Sequence, residues 1–126
     1  MMRFIISSCL FLLLFTSCYQ QERNCADFKT GEFEFTYTLD GEEKTSRFVR
    51  NDTLEVDYFE DKVDSNSVRW INDCEFIVKK LNPTSAQEAK AIHMKILTTS
   101  KKTYTFEYSV VGDKTNKQKG IATKID

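Results

Sequence analysis

Histidine, proline and tryptophan occur once each in this chain, and glycine only four times in 126 residues. The lone histidine, His93, has no second imidazole with which to build a zinc set. Gly31, Gly41, Gly112 and Gly120 are too dispersed to cradle a phosphate, and no Gly-x-Ser-x-Gly elbow presents a nucleophilic serine. Cys-x-x-Cys is also missing, which removes zinc ribbons and thioredoxin-type redox centres. Nor is there an excess of either charge: 18 basic and 19 acidic side chains leave a net charge of −1, with no electrostatic footprint for nucleic acid. Together these absences point away from an enzyme and call for neither a metal nor a cofactor.

No apolar run reaches the ~20 residues of a membrane-spanning helix. The longest, Phe4 to Phe15, is interrupted by Ser7, Ser8 and Cys9 and is followed by Thr16, Ser17 and Cys18, then by polar residues from Gln20 to Arg23. With Arg3 before it, this is a charged n-region, an h-region and a cleavage zone. Small residues ahead of a cysteine resemble the lipobox of bacterial lipoproteins, in which the thiol accepts a lipid before cleavage. Phe15 stands where that pattern prefers leucine, with Leu14 beside it. Cys9, preceded by Ile6, Ser7 and Ser8, matches the letters better but would leave only Phe4, Ile5 and Ile6 as an h-region. The expectation is therefore a signal peptide over residues 1–17, lipidation at Cys18, a lipidated tether over 18–24 and one domain over 25–126; an ordinary secretory signal is the alternative. Losing Arg3 with the leader takes the charge balance to 17 against 19, net −2. Tyr19 is not the aspartate that marks inner-membrane retention in well-studied systems, so the expected location is the outer membrane of a cell envelope, on either face.

Of the four cysteines, Cys9 leaves with the leader and Cys18 takes the lipid, so Cys25 and Cys74 remain. In an oxidising compartment they are candidates for a disulfide; two buried free thiols are the alternative.

Hydrophobicity in the remaining chain has a period of two, the mark of strands. Phe33, Phe35, Tyr37 and Leu39 alternate with Glu32, Glu34, Thr36 and Thr38 up to Asp40-Gly41, a hairpin signal. The chain returns through Thr45–Arg50, turns at Asn51-Asp52, and alternates again with Leu54, Val56 and Tyr58 as the apolar face against Glu55 and Asp57. Glu60 to Asn66 reads as a polar connection, followed by strands through Val68–Asn72 and Cys74–Val78. Pro83 ends that strand, and Thr84 or Ser85 with Gln87 or Glu88 predicts a capping box for a short helix, Ala86 to Ala91. Ile92, Met94 and Ile96, then Tyr104 to Val110, continue the alternation, and Ile121 and Ile125 close it. The fold class predicted is mainly β: an antiparallel up-and-down meander of seven or eight strands and one short helix, closing as a barrel or half-barrel or folding as a sandwich.

Cys25 to Phe35, followed by Val68-Arg69-Trp70-Ile71-Asn72-Asp73-Cys74-Glu75-Phe76, resembles small Gram-negative envelope lipoproteins with a lipocalin-like β-meander. Relatives of that kind have no assigned activity. Some carry a DNA topoisomerase IV label, for which a domain this small and net acidic has no room. The motif is explained by packing alone: Trp70 fills the inner face, Asn72 and Asp73 turn, and Cys74 faces Cys25.

Candidates for chemistry are few. His93 falls on the polar face of its strand, as do Glu32 and Glu34, and the acidic connection Glu60, Asp61, Asp64 lacks the glycine and alternating ligands of a calcium loop. Lys79-Lys80, Lys101-Lys102 and the lysines 114, 117 and 119 read as solvated hairpin ends. An aromatic inner face remains, comprising Phe33, Phe35, Tyr37, Tyr58, Trp70, Phe76, Tyr104, Phe106 and Tyr108. Small barrels either fill such a face or leave room for one ligand; Phe33, Phe35, Tyr37, Trp70, Tyr104, Phe106 and Tyr108 are the candidate lining. The functional expectation is a membrane-anchored, non-enzymatic module that binds another envelope protein or plays a structural role; the alternative is a carrier of a small apolar ligand. A buried carboxylate pair beside a deep pocket would argue instead for an enzyme.

Overall fold

A computed structural model describes residues 23–126; the expected signal peptide and Cys18 lie outside them. Eight strands run in chain order, β1 (Gly31–Leu39), β2 (Glu42–Arg50), β3 (Leu54–Phe59), β4 (Lys62–Trp70), β5 (Glu75–Lys80), β6 (Ile92–Thr99), β7 (Thr103–Val110) and β8 (Gln118–Lys124). Each pairs antiparallel with the next, and β8 pairs back onto β1, so the meander closes into a barrel rather than a half-barrel or sandwich. Closure leaves no free sheet edge, which is what a single layer of alternating strands needs to hide its apolar face.

Tight turns set the register. Asp40 and Gly41 both have positive φ, 52° and 79°, as the two-residue turn requires. At the other end of β2, Asn51 Oδ1 accepts from the N–H groups of Thr53 and Leu54 at 3.0 and 2.8 Å, and Asn51 N–H donates to the Leu54 carbonyl. Arg50 thereby lies opposite Glu55, and Phe48 opposite Asp57.

That register overturns the expected face of β3. Glu55, Asp57 and Phe59 share the inner face with Phe48 and Arg50, while Leu54, Val56 and Tyr58 point outward. Outside, Val56 lies opposite Val49, and the Arg47 guanidinium covers the Tyr58 ring at 4.5 Å. Turning Leu54, Val56 and Tyr58 inward would take a one-residue slip and would part Arg50 from Glu55.

Three further expectations are corrected. The stretch from Glu60 to Asn66 is not a connection: only Glu60 and Asp61 turn, and β4 begins at Lys62, its polar residues Asp64 and Asn66 facing inward opposite Asp57 and Glu55. Ala86 to Ala91 is not a helix. The capping box does form, with Ser85 Oγ accepting from Glu88 N–H at 3.1 Å and Glu88 accepting from Thr84 N–H at 2.8 Å, but the segment makes one turn before β6 starts at Ile92. One turn carries the full nucleation cost of a helix with almost no propagation. Last, β8 faces inward with Gly120 and Ala122, not with Ile121, which is exposed, or with Ile125, which lies beyond the strand. A Cβ on Gly120 would sit 2.6 Å from Phe106 and 2.9 Å from Phe35, so the small residues of β8 make space for large rings on β7 and β1.

One end of the barrel is plugged. A single 3-10 turn, Cys25–Phe28, lies across it and buries Cys25 and Phe28 against Phe33, Ile96, Tyr104, Phe106 and Ala122. Cys25 is bonded to Cys74 in the β4–β5 turn, with 5.3 Å between their Cα atoms. By loop-closure entropy a bridge between residues 49 apart stabilises the fold by about 4 kcal/mol. The opposite end carries the Asp40-Gly41 and Glu60-Asp61 turns, residues 81–91 and residues 111–117.

Candidate binding cavity

Above the plug the interior opens into a cavity of about 480 Å³. Its wall combines aromatic rings, Met94 and Ser46 with four ionisable groups from three neighbouring strands: Arg50, Glu55, Asp57 and Asp64. A second cavity, about 280 Å³, lies under residues 87–90 and shares Glu55, Asp57 and Met94 with the first.

Arg50 forms the floor and is 1% exposed. Its guanidinium donates to the carbonyls of Phe28 and, at 3.1 Å, Lys29, which ties the plug to β2. It donates also to Glu55 Oε1 at 3.0 Å and to Tyr104 Oη at 3.3 and 3.4 Å, so all five N–H groups are engaged. Phe76 and Phe33 lie 4.7 and 4.9 Å from its central carbon, adding cation–π attraction. Burial works against this charge, but the Tyr104 and Glu55 oxygens outweigh it and hold the guanidinium pKa above its ordinary value.

The carboxylates are crowded. Glu55 is 7% exposed, and burial pushes its pKa up against the pull of Arg50. Asp57, two residues on and on the same face, is pushed up to about 7, first by burial and then by the Glu55 charge; the hydrogen bond from Asn66 Nδ2, 2.8 Å away, only partly offsets this. Glu55 and Asp57 therefore each hold a proton more readily than an ordinary carboxyl, and the charge of one raises the other. Asp64, opposite Asp57, has Lys80 at 3.6 Å, and Lys80 also reaches Glu88 at 3.3 Å. Near the mouth, Tyr37 Oη is buried with no hydrogen-bond partner among the described residues.

No family model, curated protein or solved structure matches this chain. The site must therefore be read from its own geometry.

Of the seven aromatic residues expected to line a cavity, Phe35, Tyr37, Tyr104, Phe106 and Tyr108 do. Phe33 and Trp70 do not. Phe33 is fully buried in the plugged end, stacked on Phe48 at 5.0 Å, and Trp70 packs on Phe76 at 4.4 Å at the same end. Tyr58 lies outside and Phe76 beneath Arg50. Cys25 and Cys74 form their bridge, and Cys18 is outside the described residues. His93 is on the outer face, 3.0 Å from Glu75, while Glu32 pairs with Arg47 there. Among the described residues no three metal-ligating side chains converge.

Sequence reasoning missed Arg50, Glu55, Asp57 and Asp64. A signal for them existed in β2: once Phe48 faces inward, period two carries Arg50 inward too, and a buried arginine needs a carboxylate across the next tight turn. Glu55 is the residue that stands there.

Proposed function

We propose that this protein is a membrane-anchored carrier whose barrel holds one small, largely apolar molecule. The observation that carries this reading is the cavity: about 480 Å³ lies within the roughly 300–1,000 Å³ of small-molecule sites, walled by rings with a few polar groups converging at one side. A filled interior would have favoured a purely structural module or one that binds only through its surface.

The anchor reading rests on Arg3, the apolar run to Phe15 and the Thr16-Ser17-Cys18 junction. The chain enters the barrel at its plugged end, where Cys25 lies. A lipid on Cys18 would thus tether the domain by the end opposite the mouth. Mass spectrometry of the purified envelope protein tests the anchor: an N-terminal peptide starting at acylated Cys18 supports it, and an unmodified Cys18 refutes it.

Ligand binding is tested by titrating a neutral naphthyl fluorophore into the mature protein and into Ser46→Phe, whose new ring would enter the cavity opposite Phe35. Saturable binding at one per chain, weakened at least about tenfold in the variant, supports the reading; a loss of 1.4 kcal/mol suffices for that factor. Absence of binding refutes it.

The Glu55–Asp57 pair favours a second reading, acid–base chemistry on the bound molecule, because a carboxyl titrating near 7 is tuned for proton transfer. Small molecules extracted from the protein purified out of its own envelope separate the two. One unaltered compound fits a carrier, whereas a compound together with its cleavage or isomerisation product fits an enzyme.

A further inference from the structure

The charged groups around the cavity divide unequally between those already satisfied and those still short of a partner. Among the described residues Arg50 is the one cation in the wall of the larger cavity, and each of its N–H groups is already donated to Glu55, Tyr104, Phe28 or Lys29. Lysines nearer the mouth are also engaged: Lys44 with Glu60 at 2.9 Å, and Lys80 with Asp64 and Glu88. Among the described residues, a carboxylate-headed guest would therefore meet no free donor of positive charge in the wall of the larger cavity, although Lys90 lines the smaller one beside it. The guest would face Glu55, Asp57 and Asp64 instead.

Negative charge is in surplus. Pairing Arg50 with Glu55 leaves Asp57 and Asp64 on the cavity wall, with Lys80 shared between Asp64 and Glu88 from the far side. Rings surround the same space, and Phe59 and Tyr37, 5.8 Å apart, lie near the acidic side. The electron-rich faces of such rings favour a cation, all the more when it is desolvated. Tyr37 lines the cavity, and its Oη, buried and unpartnered among the described residues, has acceptor capacity to spare for an N–H that reaches it.

We propose that the guest is a cation: a small aromatic or alkyl amine whose ammonium lies between Asp57 and Asp64 and whose apolar body lies among the rings. This deepens the carrier reading above and rests on it. An ammonium would supply a counter-charge beside the Asp57 carboxyl, which burial and the Glu55 charge hold up near 7. An amine with three N–H groups would match the acceptor capacity that the Asp57 and Asp64 carboxylates keep beyond Asn66 and Lys80.

Three probes with one apolar body and different heads test this: naphthylethylamine, naphthylethanol and naphthylacetate, titrated into the mature protein held in nanodiscs, with empty nanodiscs subtracted. The expected order is amine over alcohol by about tenfold or more, and alcohol over carboxylate. Asp57→Asn and Asp64→Asn should each cut the preference for amine over alcohol several-fold, whatever either does to alcohol affinity itself. Alcohol binding also reports that each variant is folded. Asp64, the more exposed of the two, gives the safer variant. Carboxylate binding as tight as amine, or a preference that neither substitution moves, overturns the cationic guest while leaving the carrier intact. Failure of all three probes removes the carrier and this inference with it.

Discussion

Replacing Asp57 by asparagine should make the barrel more stable at neutral pH and flatten its pH dependence. In the folded chain the Asp57 carboxyl holds its proton up to about pH 7, against an ordinary value of 3.8. Between those values the native state binds a proton that the unfolded chain has released, so stability falls as pH rises through this window and levels off above it. A difference of about 3 pKa units at 1.36 kcal/mol each gives a loss of up to about 4 kcal/mol. Glu55, also raised, adds in the same direction. Glu88 and Asp113, both lowered to about 2 by local hydrogen bonds, act in the opposite sense, but only between about pH 2 and their ordinary values of 4.5 and 3.8, below most of the window. Urea unfolding of the ligand-free mature protein at pH 5, 6, 7 and 8 should thus show declining stability. Asp57→Asn should match the parent only below about pH 4, exceed it by about 1–2 kcal/mol at pH 5 and by about 4 kcal/mol at pH 8. Parallel profiles for the two proteins would refute the reasoning, because the slope would then arise elsewhere.

Other perturbations separate the parts of the structure. Cys25→Ala with Cys74→Ala should cost about 4 kcal/mol in urea unfolding, the loop-closure term of the bridge, while far-ultraviolet dichroism stays that of a β barrel. Arg50→Met strands Glu55 without its partner and should cost about 3–5 kcal/mol; adding Glu55→Gln should recover part of that loss, which calorimetry of the two variants would show. Gly120→Ala puts a methyl 2.6 Å from Phe106 and should destabilise by about 1–3 kcal/mol, read as a lower unfolding midpoint.

Much of the meander can be read from local chemistry. Asp40-Gly41 marks a turn because few other dipeptides tolerate those backbone angles, Asn51-Asp52 because the Asn51 side chain accepts from the N–H groups of its own turn, and β1 and β7 alternate so regularly that their inner faces, Phe33 to Tyr37 and Tyr104 to Tyr108, are evident. The candidate site was less legible because it breaks the rule that strands turn their apolar side inward. In β3 both faces are coherent, Leu54, Val56 and Tyr58 on one and Glu55, Asp57 and Phe59 on the other, and only the pairing of Arg50 with Glu55 decides between them. β4 suffers from the same inversion. Asp64 and Asn66 look like loop residues, yet they are the inner wall opposite those carboxylates, held in strand by pairing with β3 and, at Asn66, with β5 as well. The failed helix after Pro83 has a different origin. Its cap is real and forms the expected bonds, but capping chemistry fixes where a turn begins and not how far it propagates.

The central claim is that a guest occupies the barrel interior, and Met94 offers the most direct test. It lines both cavities and is the one methionine beyond the first two residues. With its methyl group isotopically labelled, the mature protein saturated with naphthylethanol should show nuclear Overhauser contacts between the naphthyl protons and that methyl. Binding of the probe without any such contact, and with shifts confined to the exposed Val63 and Ile121, would contradict the account.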